Sequence, residues 1–154
     1  MRFENKGVLV TGATGGIGRE TCLQFAAEGA AVAVTDLDLA LAERLANEIE
    51  EKGGRAVGYE LDVTNQEQTD AIVNQAATDL GSIDIIFCNA GIREIQPAHQ
   101  LPLDEWKNVI EVNVTGVFVS AQSFAKHCIS ESKPGVIINT ASTLGVMGST
   151  SRCA

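Results

Sequence analysis

Five short apolar, β-rich runs alternate strictly with four longer segments of helical period, and that alternation leaves this chain few folds to choose from. The runs fall at residues 7–11, 31–35, 56–61, 83–88 and 135–139, and the helical segments at 16–28, 39–52, 66–80 and 104–130. A helical crossover returns the chain to the same end of a sheet, so successive strands lie parallel. Helices placed this way cover both faces, and the strands read as continuous apolar runs such as Val8-Leu9-Val10. The second helix shows the expected stripe in Leu41, Ala42, Leu45, Ala46 and Ile49, with Glu43, Arg44, Glu48 and Glu50 outside it. Asp38 is placed to cap that helix and Gly53-Gly54 to end it, while Asn65 and Gly81 bracket the third. The expected architecture is α/β, a doubly wound parallel sheet in a single domain spanning residues 1–154.

The turn between the first strand and the first helix reads Thr11-Gly-Ala-Thr-Gly-Gly-Ile-Gly18. A Cβ at Gly12, Gly16 or Gly18 would obstruct the tight turn, the approach of a phosphate to the backbone, or the packing of helix on strand. The helix start beyond it, Gly16-Ile17-Gly18, offers unpaired N–H groups and the positive end of the helix dipole to a pyrophosphate. Asp36 follows Gly18 by 18 residues, at the end of the second apolar run. A carboxylate there can accept both hydroxyls of an adenosine ribose and would repel a 2′-phosphate. Neither Thr14 nor Leu37 beside it is basic, so the cofactor expected is NAD. With this Rossmann-type start and right-handed crossovers, the strand order should be 3-2-1-4-5. Ligands in such sheets bind at the carboxyl ends of the strands, where Gly12, Asp36, Asp62, Asn89 with Gly91, and Ser142 fall in turn.

Composition narrows the partners. Eleven basic against 20 acidic residues leave a net charge of −9, which disfavours nucleic acid and anionic membrane surfaces. The four cysteines, Cys22, Cys88, Cys128 and Cys153, lie far apart among apolar neighbours and are read as buried free thiols of a reducing compartment. There is no apolar signal core, no run long enough to span a membrane, no Gly-Lys-Ser/Thr phosphate loop and no metal-ligand cluster. A cytoplasmic protein without metal is expected, and the sequon Asn113-Val-Thr115 is read as coincidence.

The ordered motifs resemble those of the short-chain dehydrogenase/reductase family over essentially the whole chain. Its Thr-Gly-x-x-x-Gly-x-Gly start is matched by Thr11 to Gly18, its acidic residue after the second strand by Asp36, and its adenine-contacting Asp-Val pair by Asp62-Val63. The family's Asn-Asn-Ala-Gly occurs as Cys88-Asn89-Ala90-Gly91, with Cys in place of the first Asn. Val112-Asn113-Val-Thr-Gly116 matches the long-helix signature, and Ile137-Ile-Asn-Thr-Ala-Ser142 the segment that ends in the catalytic serine. The resemblance implies that Ser142 orients the substrate oxygen and that Asn113 kinks its helix and holds a water of the proton relay. By position, Asn113 falls inside the apolar stripe of Trp106, Ile110, Val117, Ala121 and Phe124, where a buried amide would need partners.

The family's acid–base work belongs to a tyrosine whose pKa is lowered by a lysine one helical turn on. That Tyr-x-x-x-Lys motif follows the serine by about a dozen residues in the family. Twelve residues follow Ser142 here, and the motif is not among them. Tyr59, the one tyrosine, has Val63 four residues on; Lys126 and Lys133 have no tyrosine at the right spacing, and His99 and His127 read as surface or cap groups. The expectation is therefore the cofactor-binding N-terminal portion of an NAD-dependent oxidoreductase of small alcohols and carbonyls, with a sheet incomplete at its C-terminal side. Such a portion would bind NAD weakly and turn nothing over. A short dinucleotide-binding module and a functionless truncated product remain as other readings. Val136-Ile-Ile138 would then be an exposed edge, and Val112, Val114, Phe118 and Val119 give the long helix a second apolar face suited to a homo-oligomer through residues 104–130.

Overall fold

The computed structural model describes residues 1–153. Its five parallel strands, β1 (Gly7–Thr11), β2 (Ala31–Asp36), β3 (Arg55–Glu60), β4 (Ile85–Cys88) and β5 (Val136–Asn139), form one sheet in the order β3-β2-β1-β4-β5. The helices α1 (Gly16–Ala27), α2 (Leu39–Glu51), α3 (Gln66–Leu80), α4 (Leu103–Ile110) and α5 (Gly116–Ser130) supply the crossovers. The pleat sorts the side chains into two cores. Val8, Val10, Val32 and Val34 face Cys22 of α1 and Leu45, Ala46 and Ile49 of α2. Leu9, Ala33, Ile86 and Cys88 face Val73, Ala76 and Leu80 of α3 and Phe124 and Cys128 of α5. Continuous apolar strands are thus what a sheet covered twice requires.

Local chemistry sets the helix limits. The Asp38 carboxylate accepts from the Leu41 N–H at 3.1 Å and the Asn65 amide oxygen from the Gln68 N–H at 3.0 Å, so α2 and α3 begin where those caps stand. Gly81, at φ +87°, takes the left-handed turn that ends α3. Leu41, expected in the buried stripe of α2, is 44% exposed, because it sits beside the cap at the rim of the helix rather than over the sheet. β4 begins two residues later than its apolar run. The intervening Asp84 carboxylate instead gathers the Gly7 N–H (3.0 Å), the Lys6 ammonium (2.9 Å) and the Ser82 hydroxyl (2.7 Å) into a clasp at the amino ends of the strands.

The long helix is two helices. A π-turn, Glu111–Thr115, separates α4 from α5 and advances the helical phase. That shift brings Val119 into the core at 6% exposure, although a single unbroken helix would place it off the stripe. It leaves Val114 and Phe118 outside, with Ile129 further along. Among the described cysteines Cys22, Cys88 and Cys128 are buried, whereas Cys153, expected to be buried too, is exposed. No described helix is long and apolar enough to cross a membrane, and no described group of His, Cys and carboxylates is arranged to hold a metal.

Candidate functional site

The chain runs outward from β1 through β2 to β3, then returns to β4 on the other side of β1. At that reversal, along the carboxyl ends of the strands, lies a cleft of about 690 Å³. Its walls include Gly12, Gly16 and Ile17 after β1, Asp36 at the end of β2 with Leu37 beyond it, and Leu61, Asp62 and Val63 after β3. Asn89, Ala90, Gly91, Ile92 and Arg93 after β4, with Val112, close the far end. Gly18, Asn113 and Ser142 stand behind or away from this lining.

The glycines serve three different ends. Gly12 holds φ +59°, and a Cβ on it would stand 2.7 Å from the Ala90 Cα, so the loops after β1 and β4 can meet only at a glycine. A Cβ on Gly18 would overlap the Gly12 carbonyl and lie 2.8 Å from the Ala13 Cα, which would push α1 off its strand. Around Gly16 there is nothing within 4 Å: the space that a side chain would fill belongs to the cleft. The start of α1 is open as well. Gly15 is its N-cap and offers no side-chain acceptor, and the first turn carries no acidic residue. The first-turn N–H groups lack intrahelical acceptors and sit at the cleft, whereas α2 and α3 are closed by Asp38 and Asn65.

Both cleft carboxylates are held in place. Asp36 Oδ2 accepts from the Thr14 N–H (2.9 Å) and the Thr14 hydroxyl (2.6 Å), and Oδ1 from the Leu37 N–H (2.9 Å). Asp62 Oδ1 accepts from the Thr64 N–H (2.9 Å) and hydroxyl (2.7 Å), an Asx turn that the sequence Asp62-Val-Thr64 permits. Val63 is buried against α5, where a Cβ on Gly116 would come within 2.6 Å of its Cγ2. The glycine of the helix signature therefore makes room for the wall of the cleft.

Asn89 joins β4 to β1. Its side-chain Nδ2 donates to the Thr11 and Gly12 carbonyls at 3.2 and 3.1 Å, while Thr11 Oγ1 accepts the N–H groups of Asn89 and Ala90 at 3.0 and 3.1 Å. Cys88, where the family has Asn, packs in the α3–α5 core at 1% exposure, and burial pushes its thiol up to about 11. With Cys at this position the contact is an apolar one.

Asn113 lies in the π-turn and is exposed rather than buried in the stripe. Its amide finds its partners in the loop after β4: Nδ2 donates to the Ile92 carbonyl and Oδ1 accepts the Ile92 N–H, both at 2.8 Å. Both polar backbone groups of Ile92 are pinned by one side chain. Ser142 is exposed and caps a short 3₁₀ turn, Thr143–Gly145, with its Oγ accepting the Leu144 N–H at 3.1 Å. Tyr59 is buried in β3 and donates to Asp79 at 2.9 Å; burial and that carboxylate both raise its pKa. Sequence reasoning missed Leu61 and the lining role of Val112, which carry no polar signal.

A parallel sheet in this order, with a glycine-walled cleft and an uncapped helix start at its switch point, defines the Rossmann class of dinucleotide-binding folds. The profile of the short chain dehydrogenases matches residues 6–154. Cyclohexanol dehydrogenase of Acinetobacter sp. (strain SE19) is 36% identical over 148 residues, covering 96% of this chain and 59% of that protein. A short-chain type dehydrogenase/reductase from Mycobacterium marinum superposes with a TM-score of 0.91 at 38% identity, over 96% of this chain and 60% of that one. An NAD⁺-bound xylitol dehydrogenase gives 0.92 at 37%, over 99% and 58%. The chain belongs to the short-chain dehydrogenase family, and it spans about three fifths of the length of these relatives.

Proposed function

We propose that these residues form the NAD-binding portion of a short-chain dehydrogenase acting on small-molecule alcohols or carbonyls. The observation that carries this reading is the cleft itself, with Asp36 fixed at one end and open space at Gly16 in front of an uncapped helix. The residues fit such a cofactor: Gly12, Gly16 and Ile17 would cradle the pyrophosphate, with Gly18 behind them letting α1 pack on its strand, and Asp36 would take the adenosine ribose. Asp62 and Val63 would flank the adenine, and Asn89, Ala90 and Gly91 the nicotinamide half. When bound, the cofactor supplies or accepts the hydride. Asp36 disfavours a 2′-phosphate by repulsion, and no cation stands among the cleft residues beside it, Thr14, Gly15 and Leu37.

Asn113 and Ser142 are the catalytic-site candidates carried by this chain. Asn113 would hold the Ile92 backbone against the reacting end, and Ser142 would orient the substrate oxygen once released from its capping bond. Tyr59 cannot replace a catalytic tyrosine, being buried and bonded to Asp79 in β3, away from the cleft lining. These 154 residues alone would therefore bind cofactor without turning it over. Relatives named for cyclohexanol, a 3β-hydroxysteroid and a 3-oxoacyl group on acyl-carrier protein support the reaction class rather than one substrate. Val114, Phe118 and Ile129, all more than half exposed, favour self-association through the α4–α5 segment.

Calorimetric titration with NADH and NADPH tests the reading. Binding of NADH, at least roughly tenfold tighter than NADPH, is expected from the repulsion of one like-charge pair at the ribose. No NADH binding would overturn the cofactor assignment. Measurable dehydrogenase activity from the purified 154-residue chain would overturn the statement that it lacks turnover.

A further inference from the structure

Charge is unevenly spread along the cleft. Its two carboxylates, Asp36 and Asp62, stand at the end of β2 and just beyond β3, and its one cation, Arg93, stands in the loop after β4. Arg93 is exposed and pairs with no described carboxylate, whereas Lys6, Arg19, Lys52 and Lys126 each hold one. Arg44, Lys107 and Arg152 also lack a carboxylate partner among the described residues, but none of them lines this cleft. The base of the Arg93 side chain is nevertheless fixed. Asn113 holds the N–H and the carbonyl of Ile92 at 2.8 Å each, and that carbonyl belongs to the peptide leading into Arg93. Ile92 and Val112 give the same end of the cleft an apolar wall.

We propose that Arg93 is a specificity-determining residue that selects substrates bearing a carboxylate. A guanidinium presents its N–H groups in a planar fork that matches the two oxygens of a carboxylate, and it stays charged at any working pH. On the dinucleotide reading the pyrophosphate goes to the start of α1, and Asn89, Ala90 and Gly91 flank the nicotinamide. Arg93, two residues beyond Gly91, then borders the space left for the substrate. An anion at this end of the cleft is also spared the like charges of Asp36 and Asp62. The apolar body between carboxylate and reacting carbon packs on Ile92 and Val112. The substrate class is thus an alcohol or ketone with an acid group on an apolar body, in place of a neutral alcohol. This proposal rests on the dinucleotide reading of the cleft.

The test follows the 154-residue chain, saturated with NADH, by NMR while benzoate or its uncharged counterpart benzamide is added. Benzoate should bind roughly three- to tenfold more tightly and should shift the Arg93 Nε–H resonance. That range lies between the worth of an exposed ion pair and that of a hydrogen bond to a charged group. Arg93→Gln should erase the preference and leave NADH affinity unchanged. Arg93→Lys, which keeps the charge but not the fork, should retain part of it, and Arg44→Gln should leave it intact. A benzoate preference that survives Arg93→Gln would overturn the proposal. So would loss of NADH itself in that variant, which would assign the guanidinium to a phosphate of the cofactor. A wild-type chain that binds no NADH would overturn the dinucleotide reading and this proposal with it. NADH binding without a benzoate preference would overturn the proposal alone.

Discussion

Strands β1 and β5 are built from nearly the same residues and end in opposite environments. Val8-Leu9-Val10 has no exposed surface, whereas Val136, Ile137 and Ile138 are 53, 42 and 39% exposed. Both strands pair in parallel register, β1 with β2 on one side and β4 on the other, and β5 along one side only, with β4. Hydrogen bonding therefore places a strand, while burial comes from a second neighbour and from the layers above and below it. On the β1 side those layers are present on both faces; at β5 the described residues leave the strand open.

The sharpest way to break this comparison is to truncate matched side chains. Leu9→Ala should cost about 3–5 kcal/mol, the range for a fully buried leucine in a close-packed core, and Ile137→Ala under about 1 kcal/mol. Urea melts of the two variants would decide; equal losses would mean that β5 is covered in solution.

Next in size is the clasp at the amino ends of the strands, which ties β1 to the segment entering β4. Burial alone would raise the Asp84 pKa, but the Gly7 N–H, the Lys6 ammonium and the Ser82 hydroxyl outweigh it and hold the carboxyl below its ordinary 3.8. A depressed folded value stabilises the protein above the unfolded value, and that contribution is lost as pH falls below 3.8 through the folded value. Asp84→Asn should cost about 1–3 kcal/mol at neutral pH, and the difference from wild type should shrink in acid melts over that window.

The smallest effect is kinetic and sharpens the same contrast. Cys22, on the inner face of α1, lies in the core shared with α2, where burial pushes its thiol up to about 12, while Cys88 at the end of β4 and Cys128 on the inner face of α5 lie in the core on the α3–α5 face of the sheet. Thiol labelling under native conditions should modify exposed Cys153 first, then Cys88 and Cys128, and Cys22 last. Cys22 reacting with the pair would show that the two sides open together.

Much of this was legible from residue types. Caps at Asp38 and Asn65, the glycine turn and the apolar runs are local devices, and local devices write themselves into sequence. The strand order followed from handedness, which holds for any such chain. What escaped depended on phase or distance. The π-turn inserts one residue's worth of rotation that no composition marks, so Val119 and Asn113 exchanged the environments a regular helix would give them. The partner of Asn113, Ile92, is 21 residues away and presents only backbone. Leu61 became a wall of the cleft because of where β3 stops, and its side chain is that of any core residue.

The uncapped start of α1 has a thermodynamic consequence. Its first-turn donors are left for a ligand, so the free chain holds a helix end less stable than those of α2 and α3. Any anion that satisfies those donors in the folded chain, and finds no counterpart in the unfolded one, shifts the folding equilibrium by mass action. At a ligand concentration of about 100 times Kd the gain is about 2.7 kcal/mol, a shift of several degrees in Tm for a domain of this size. On the proposed dinucleotide reading, folding and cofactor occupancy are one coupled equilibrium, and the melting curve of the chain doubles as a gauge of free dinucleotide.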